Sequence, residues 1–205
     1  MESLAYGLYR ITEKIARLAY VNMLWVLFTL LGLGVFGLLP ATSAMFAVIR
    51  KWQMGEEDVP VYKTFWHYYR KDFLKVNLLG HILLITGYIL SIEYQILRSV
   101  DATVYYIASF GVIAQLILYV IVLIYFFPVF AHFRLKSGDY FKWPFVIGIS
   151  HPIMTVFLVA SVVVLQFAAY KFMPALLLFF GPSITASILM WGSTQTFSQV
   201  KIAEA

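Results

Sequence analysis

The feature that most constrains this chain is a stretch of 32 residues, Leu18 to Ile49, without one Asp, Glu, Lys or Arg. Four more charge-free runs follow: Val76 to Ile92, Val104 to Phe133, Phe145 to Tyr170 and Phe172 to Val200. A helix needs about 20 apolar residues to cross the hydrocarbon layer of a bilayer. In lipid, backbone polar groups must be satisfied within the segment itself, so runs of this kind commit the chain to membrane helices. Composition agrees, with 62% of the 205 residues hydrophobic and 12% charged. So few charges could not cover a core that apolar in water. The expectation is an all-α, polytopic helical membrane bundle of about five to six membrane segments, forming one integral membrane domain over residues 1–205.

The first run is too long for one crossing and too short for two. Its 32 residues make about 48 Å of helix. Gly32, Gly34 and Gly37 interrupt it. Residues 18–50 are therefore read as a glycine-bent hairpin whose second helix begins near Pro40, with the proline in its first turn. Ahead of it, Leu4, Leu8, Ile11, Ile15 and Leu18 recur at helical steps, apart from Arg10, Glu13, Lys14 and Arg17. That pattern predicts an interfacial helix over 1–17 that then bends into the bilayer.

After Arg50-Lys51 and the polar Gly55-Glu56-Glu57-Asp58 comes an aromatic stripe, Tyr62, Phe65, Trp66, Tyr69 and Phe73. Lys63, His67, Arg70 and Lys71 lie between its members. Residues 51–72 are read as a cytoplasmic, interfacial amphipathic segment at headgroup level. It would serve as an anchor or as a docking surface, with Tyr62, Phe65, Trp66, Tyr69 and Arg70 the candidate partner contacts. Membrane helices are expected over 73–97, 104–133, 145–170 and 172–200, the last bent or split at Gly181-Pro182.

A short pattern recurs. Phe46-Ala47-Val48-Ile49-Arg50 resembles Phe130-Ala131-His132-Phe133-Arg134, and Phe197-Ser198-Gln199-Val200-Lys201 is a fainter third copy. Each marks a helix leaving lipid with an aromatic at the interface and a cation in water. Three helices are thus expected to exit on one side. If the glycine-bent hairpin returns to its starting side, that side gathers 13 of the 15 basic residues, leaving Arg98 and Lys171 opposite. The positive-inside bias then puts both termini in the cytoplasm. The same bias accounts for the net charge of +5 without nucleic acid, because the cations flank apolar runs rather than forming one soluble face. No cleavable signal peptide is read, since the first apolar run is too long and lacks a small-x-small site.

Polar side chains in hydrocarbon are costly and are the natural candidates for function. They are Asn22, Asn77, His81, Glu93, Gln115 and Gln166. His81 could titrate, but is better read as hydrogen-bonded to a neighbouring helix. The amides are read as glue between helices. Ser43/Ala47 and Ser183/Ser187, just after Pro40 and Pro182, would let two broken helices approach closely. Thr42 completes the set of packing or pore candidates: Asn22, Pro40, Thr42, Ser43, His81, Gln115, Pro182 and Ser183. Nothing here forms an active site. Cysteine is absent, the four histidines share no paired helical spacing, and no serine or phosphate-binding loop has a catalytic setting. No catalytic residue, metal or cofactor is expected.

Three segments carry a resemblance. Asn22-Met23-Leu24-Trp25-Val26-Leu27-Phe28, then Gly37-Leu38-Leu39-Pro40-Ala41-Thr42-Ser43-Ala44, then Val48-Ile49-Arg50-Lys51-Trp52 resemble the YesL-like family of small membrane proteins of Gram-positive bacteria. Asp58-Val59-Pro60-Val61-Tyr62-Lys63-Thr64-Phe65-Trp66 is similar to it as well, while Leu39 stands where many members have glycine. Members are often encoded beside sugar-importer components. The resemblance therefore implies an accessory membrane subunit associating with the permeases of a carbohydrate ABC importer, for plant cell-wall oligosaccharides, in a bacterial cell membrane. The alternatives are a small-solute binding or transport protein with a polar cavity near Pro40 and Pro182, and a membrane sensor with the 62–73 helix as its output.

Overall fold

The computed structural model describes residues 2–197 other than 57 and 101. Within them the chain forms α1 (Glu2–Leu31), α2 (Val35–Gln53), α3 (Val61–Ser99), α4 (Thr103–His132), α5 (Asp139–Ser150), α6 (Pro152–Phe172) and α7 (Pro174–Phe197).

α1 is continuous, and the bend expected after residue 17 is absent. No Gly or Pro lies between Gly7 and Gly32, so nothing in the chain interrupts the helix. The side chains of Leu4, Leu8 and Ile11 in the expected apolar stripe, and of Arg10 apart from it, lie outside the described residues. The glycine-bent hairpin itself is present. Leu33 and Gly34 turn the chain with φ of 60° and 74°, values that glycine adopts freely and leucine does not. The two strands of backbone then meet so closely that a Cβ on Gly32 would overlap the Cα of Gly37. Further along, Trp25 Nε1 donates to Thr42 Oγ1 at 2.9 Å across the hairpin.

The second helix starts at Val35, earlier than expected, and so Pro40 falls inside it rather than in its first turn. A proline there frees the carbonyl four residues back. That carbonyl belongs to Phe36, and Asn77 Nδ2 donates to it at 2.9 Å. The repair lets α2 serve as the centre of the fold, buried from Ser43 through Ile49 and at Leu39, Pro40 and Ala41.

The expected division between a 51–72 interfacial segment and a 73–97 membrane helix is not seen. α2 runs on to Gln53, and after residues 54–60 the chain forms the single 39-residue helix α3, about 58 Å long. α3 lies antiparallel to α4. Asp72 pairs with Arg134 at 3.1 Å at one end, and the Arg98 guanidinium sits 5.5 Å from the Tyr106 ring centre at the other. Because Arg134 is already beyond the last residue of α4, the first dozen or so residues of α3, about 18 Å, project past that end. Both ends of α2 are tied to the same end of the pair. Asn77 holds Phe36, and Arg50 Nε donates to His132 Nδ1 at 3.1 Å.

The helix expected over 145–170 is two helices. His151 leaves the helical region at φ −125° and ψ 63°, as a residue preceding proline is pushed to do. α5 and α6 then run one after the other along α4, through Phe141 against Phe126 and Tyr125 Oη at 3.1 Å from Thr155 Oγ1. Pro182 does not split α7, which is helical from Pro174 to Phe197. Residues 198–200 of that expected segment lie outside the described residues.

α1 from Thr12, α3, α4 and α6 are long and apolar enough to cross a membrane. These four fall short of the expected five to six. α2 has only 19 residues and ends in Arg50 and Lys51, and the break at His151 leaves α5 with 12. α7 carries no charged residue along its 24. The repeated exit pattern does converge at one end, where Arg50 meets His132 and the Phe197 ring packs 4.9 Å from His132 and 5.0 Å from Phe133.

Candidate functional site

A cavity of about 590 Å³ opens where α1, α2, α4, α6 and α7 meet. Its walls are mainly aliphatic and aromatic, including Phe46 and Phe127, and no charged residue lines it. Two polar pairs face it. Thr42 Oγ1 accepts from Trp25 Nε1 and donates to the Leu38 carbonyl at 2.7 Å, which uses the hydroxyl proton and the indole donor. Gln166 Nε2 donates to Thr185 Oγ1 at 2.8 Å, one turn beyond Gly181-Pro182. Pro182 and Thr42, two residues on from Pro40, line one cavity, but where the small-solute alternative expects a polar cavity near Pro40 and Pro182 this one is apolar. A sugar, with a hydroxyl on nearly every carbon, would leave most of its polar groups unpaired there.

Asn22, Ser43, Ser183, His81 and Gln115 are dispersed through the bundle rather than gathered at one place. Asn22 and Ser43 are buried in the core. Ser183 is fully buried and donates to the Phe180 carbonyl of its own helix, and Ser187 likewise to Ser183. Close packing of α2 and α7 is nonetheless real, with Gln53 Nε2 donating to the Ser187 carbonyl at 2.9 Å. His81 bonds not to a neighbouring helix but to the Asn77 carbonyl of its own, at 2.7 Å from Nδ1. A carbonyl can only accept, so Nδ1 carries the proton. Gln115 is not internal glue. It sits near the middle of α4 on an exposed face, bonded to no other helix among the described residues.

The aromatic stripe is split between two faces of α3. Phe65 and Tyr69 are 0% and 6% exposed, so they cannot dock a partner. Both pack on Phe28, and Tyr69 Oη donates to the Phe28 carbonyl at 3.1 Å. Tyr62, Trp66 and Arg70 stay open, beside Lys63, His67 and Lys71. The Arg70 guanidinium lies 5.3 Å from the Trp66 ring centre, a cation–π arrangement that holds the charge against the ring. The residues that fix this projecting end had no pattern to mark them. Asp72 anchors Arg134. Lys75 Nζ donates to the Leu135 carbonyl at 2.9 Å and sits 4.5 Å from the Tyr140 ring centre. Tyr140 Oη in turn accepts from the Leu135 N–H and donates to the Phe133 carbonyl. The one available signal was that Asp72 is the sole acidic residue between Val59 and Ile92.

A central buried helix, several membrane-length helices around it and a basic end make this a multi-pass α-helical membrane protein. Comparison with known proteins takes it further. Residues 18–94 match the family described as "Protein of unknown function, DUF624". Three proteins of Bacillus subtilis (strain 168) are similar over most of their length. "Uncharacterized protein YteU" is 39% identical over 175 residues, covering 85% of this chain and 78% of YteU. "Uncharacterized protein YesV" is 35% identical, covering 95% of this chain and 93% of its own. "Uncharacterized protein YesL" is 36% identical, covering 96% and 92%. The chain belongs to this YesL-like, DUF624 family. No solved structure matches it.

Proposed function

We propose that this protein is a non-catalytic accessory subunit that binds the permeases of a carbohydrate ABC importer, one for plant cell-wall oligosaccharides. The observation that carries the docking part of this reading is Gln115. An amide exposed on a membrane helix finds no water in hydrocarbon, and a partner helix is the natural source of its hydrogen bonds. Ala108 and Gly111 lie on the same exposed face of α4, and a Cβ added to Gly111 would meet nothing within 4 Å. Small residues beside a polar one let a second helix approach its backbone closely, and such interhelical bonds are worth roughly 0.6–2 kcal/mol. The importer as partner comes from the family resemblance, and the apolar cavity supports a helper rather than a sugar carrier.

The end carrying Arg50, Arg134 and the projecting part of α3 faces the cytoplasm in this reading, following the positive-inside bias. Tyr62, Trp66 and Arg70 would then meet a permease's cytoplasmic loops, being of the residue types that dominate binding hot spots. The test is affinity capture of the tagged chain from mild detergent, with mass spectrometry of what accompanies it. Permease subunits are expected, and Gln115→Leu or Gly111→Leu should cut their recovery severalfold. A chain that emerges alone, or only with copies of itself, overturns the proposal.

A further inference from the structure

We infer that the cavity beside Pro182 binds one uncharged, mainly hydrocarbon molecule that carries a hydroxyl, with the hydroxyl seated on the Gln166 amide. This site is separate from the α4 face, and its occupancy does not depend on any partner. The Gln166 side chain has two polar edges, of which Nε2 is engaged by Thr185. Oε1 takes no hydrogen bond from any described residue, and lies 3.7 Å from where a Cβ on Gly181 would be. Glycine at 181 keeps that edge of the amide uncovered. Pro182, the next residue, brings no N–H to the wall. An amide oxygen left unpaired in apolar surroundings is costly, and a hydroxyl both donates and accepts, so it complements an amide in either orientation.

The remaining properties of the ligand follow from the walls. No Lys, Arg, Asp or Glu lines the cavity, which excludes a charged group. Thr42 and Trp25 have already spent their donors on each other and on Leu38, so Gln166, with Thr185 bonded to it, is the polar anchor on offer. Val120, Val159 and Val163 are shared with a second groove of about 730 Å³ between α4 and α6, whose lining is aliphatic but for Thr155. Val163 is 60% exposed, and so the groove opens to the lipid side. Thr155 is closed off, its hydroxyl lying 2.9 Å from the Gly148 carbonyl and 3.0 Å from the His151 carbonyl. The two spaces together give a chain-shaped entry from the bilayer that ends on one polar group. Gln166 stands six residues from the end of α6 at Phe172, about 9 Å of helix inward. A phospholipid headgroup would have to leave the interface to reach it, whereas a single hydroxyl need not.

Trp25 lines the cavity and can report on it. With Trp52, Trp66, Trp143 and Trp191 replaced by Phe, Trp25 is the sole indole in the chain. The full chain in nanodiscs is titrated with a long-chain alcohol brominated at mid-chain, and separately with the same brominated chain lacking oxygen. Saturable quenching of Trp25 is expected, half-saturated by the alcohol at about tenfold lower concentration, equivalent to about 1.4 kcal/mol. Gln166→Leu should bring the two probes within twofold of each other. Ala186→Phe, which fills the cavity and leaves Gln166 in place, should abolish saturable quenching, and it decides the matter should Gln166→Leu fail to fold. Quenching that rises linearly, is equal for both probes, or survives these variants unchanged overturns the inference.

Discussion

At Pro40 the chain removes an N–H from the middle of its most buried helix, and α3 makes good the loss by turning Asn77 onto the Phe36 carbonyl. At Pro182 a similar removal happens beside a cavity, where the nearest side-chain amide bonds to Thr185 instead. The sequence context of the two is alike, with small hydroxyl-bearing residues following each proline. Their environments are not. The first is buried within α2, which packs on α1, α3, α4 and α7, and becomes the scaffold. The second is left open to whatever the bilayer supplies. A proline in a membrane helix is thus neither a hinge nor a site by itself; what the neighbouring helix offers to the freed backbone decides which it becomes.

This contrast can be broken or sharpened by mutation. The largest effect is expected at the hairpin that positions Pro40. Gly37→Val would drive a branched side chain into the Phe28 and Thr29 carbonyls, costing about 4 kcal/mol or more. The expected readout is loss of the monodisperse peak in size-exclusion chromatography. Next, Asn77→Leu takes away the donor that Asn77 gives the Phe36 carbonyl, a loss of about 1–3 kcal/mol in denaturation by SDS. Pro40→Ala restores the missing N–H, so the double variant should recover about 1 kcal/mol of that loss. An additive double variant would show that Asn77 does not repair the proline. Leu33→Gly should raise stability by about 1 kcal/mol by relieving the left-handed leucine at the exposed turn. The smallest effect is the control: Pro182→Ala and Asn77→Leu should add to within about 0.5 kcal/mol, since the two sites share no partner.

Much of this was legible in the residues. Charge-free runs gave the membrane class, and the clustered glycines gave the hairpin because left-handed backbone and close approach both demand them. Convergence of Phe46-to-Arg50 with Phe130-to-Arg134 could be read because an aromatic followed by a cation has one sensible height in a bilayer. Other features left no trace. Phe65 and Tyr69 share a helical face with Tyr62 and Trp66 in the periodicity, which shows that one side is apolar but not whether lipid or Phe28 lies against it. The length of α3 was hidden because polar Lys71, Asp72 and Lys75 read as the boundary between an interfacial segment and a membrane helix, although none of them breaks a helix. Gln115 and Gln166 are the same residue in similar apolar contexts, yet one faces outward and the other a cavity. The packing of α6 on α7, where Thr185 meets Gln166, separates them.

The unbroken α3 has a mechanical consequence. Its Trp66 ring packs 5.4 Å from that of Phe28 with Arg70 beside it, while some 45 Å away Arg98 rests on Tyr106 at the opposite end. The helix is held along its length, at Phe28 through Tyr69, at Arg134 through Asp72, at Phe36 through Asn77 and at Tyr106 through Arg98. One undivided rod of about 58 Å therefore sets the spacing between the basic end of the bundle and the far one.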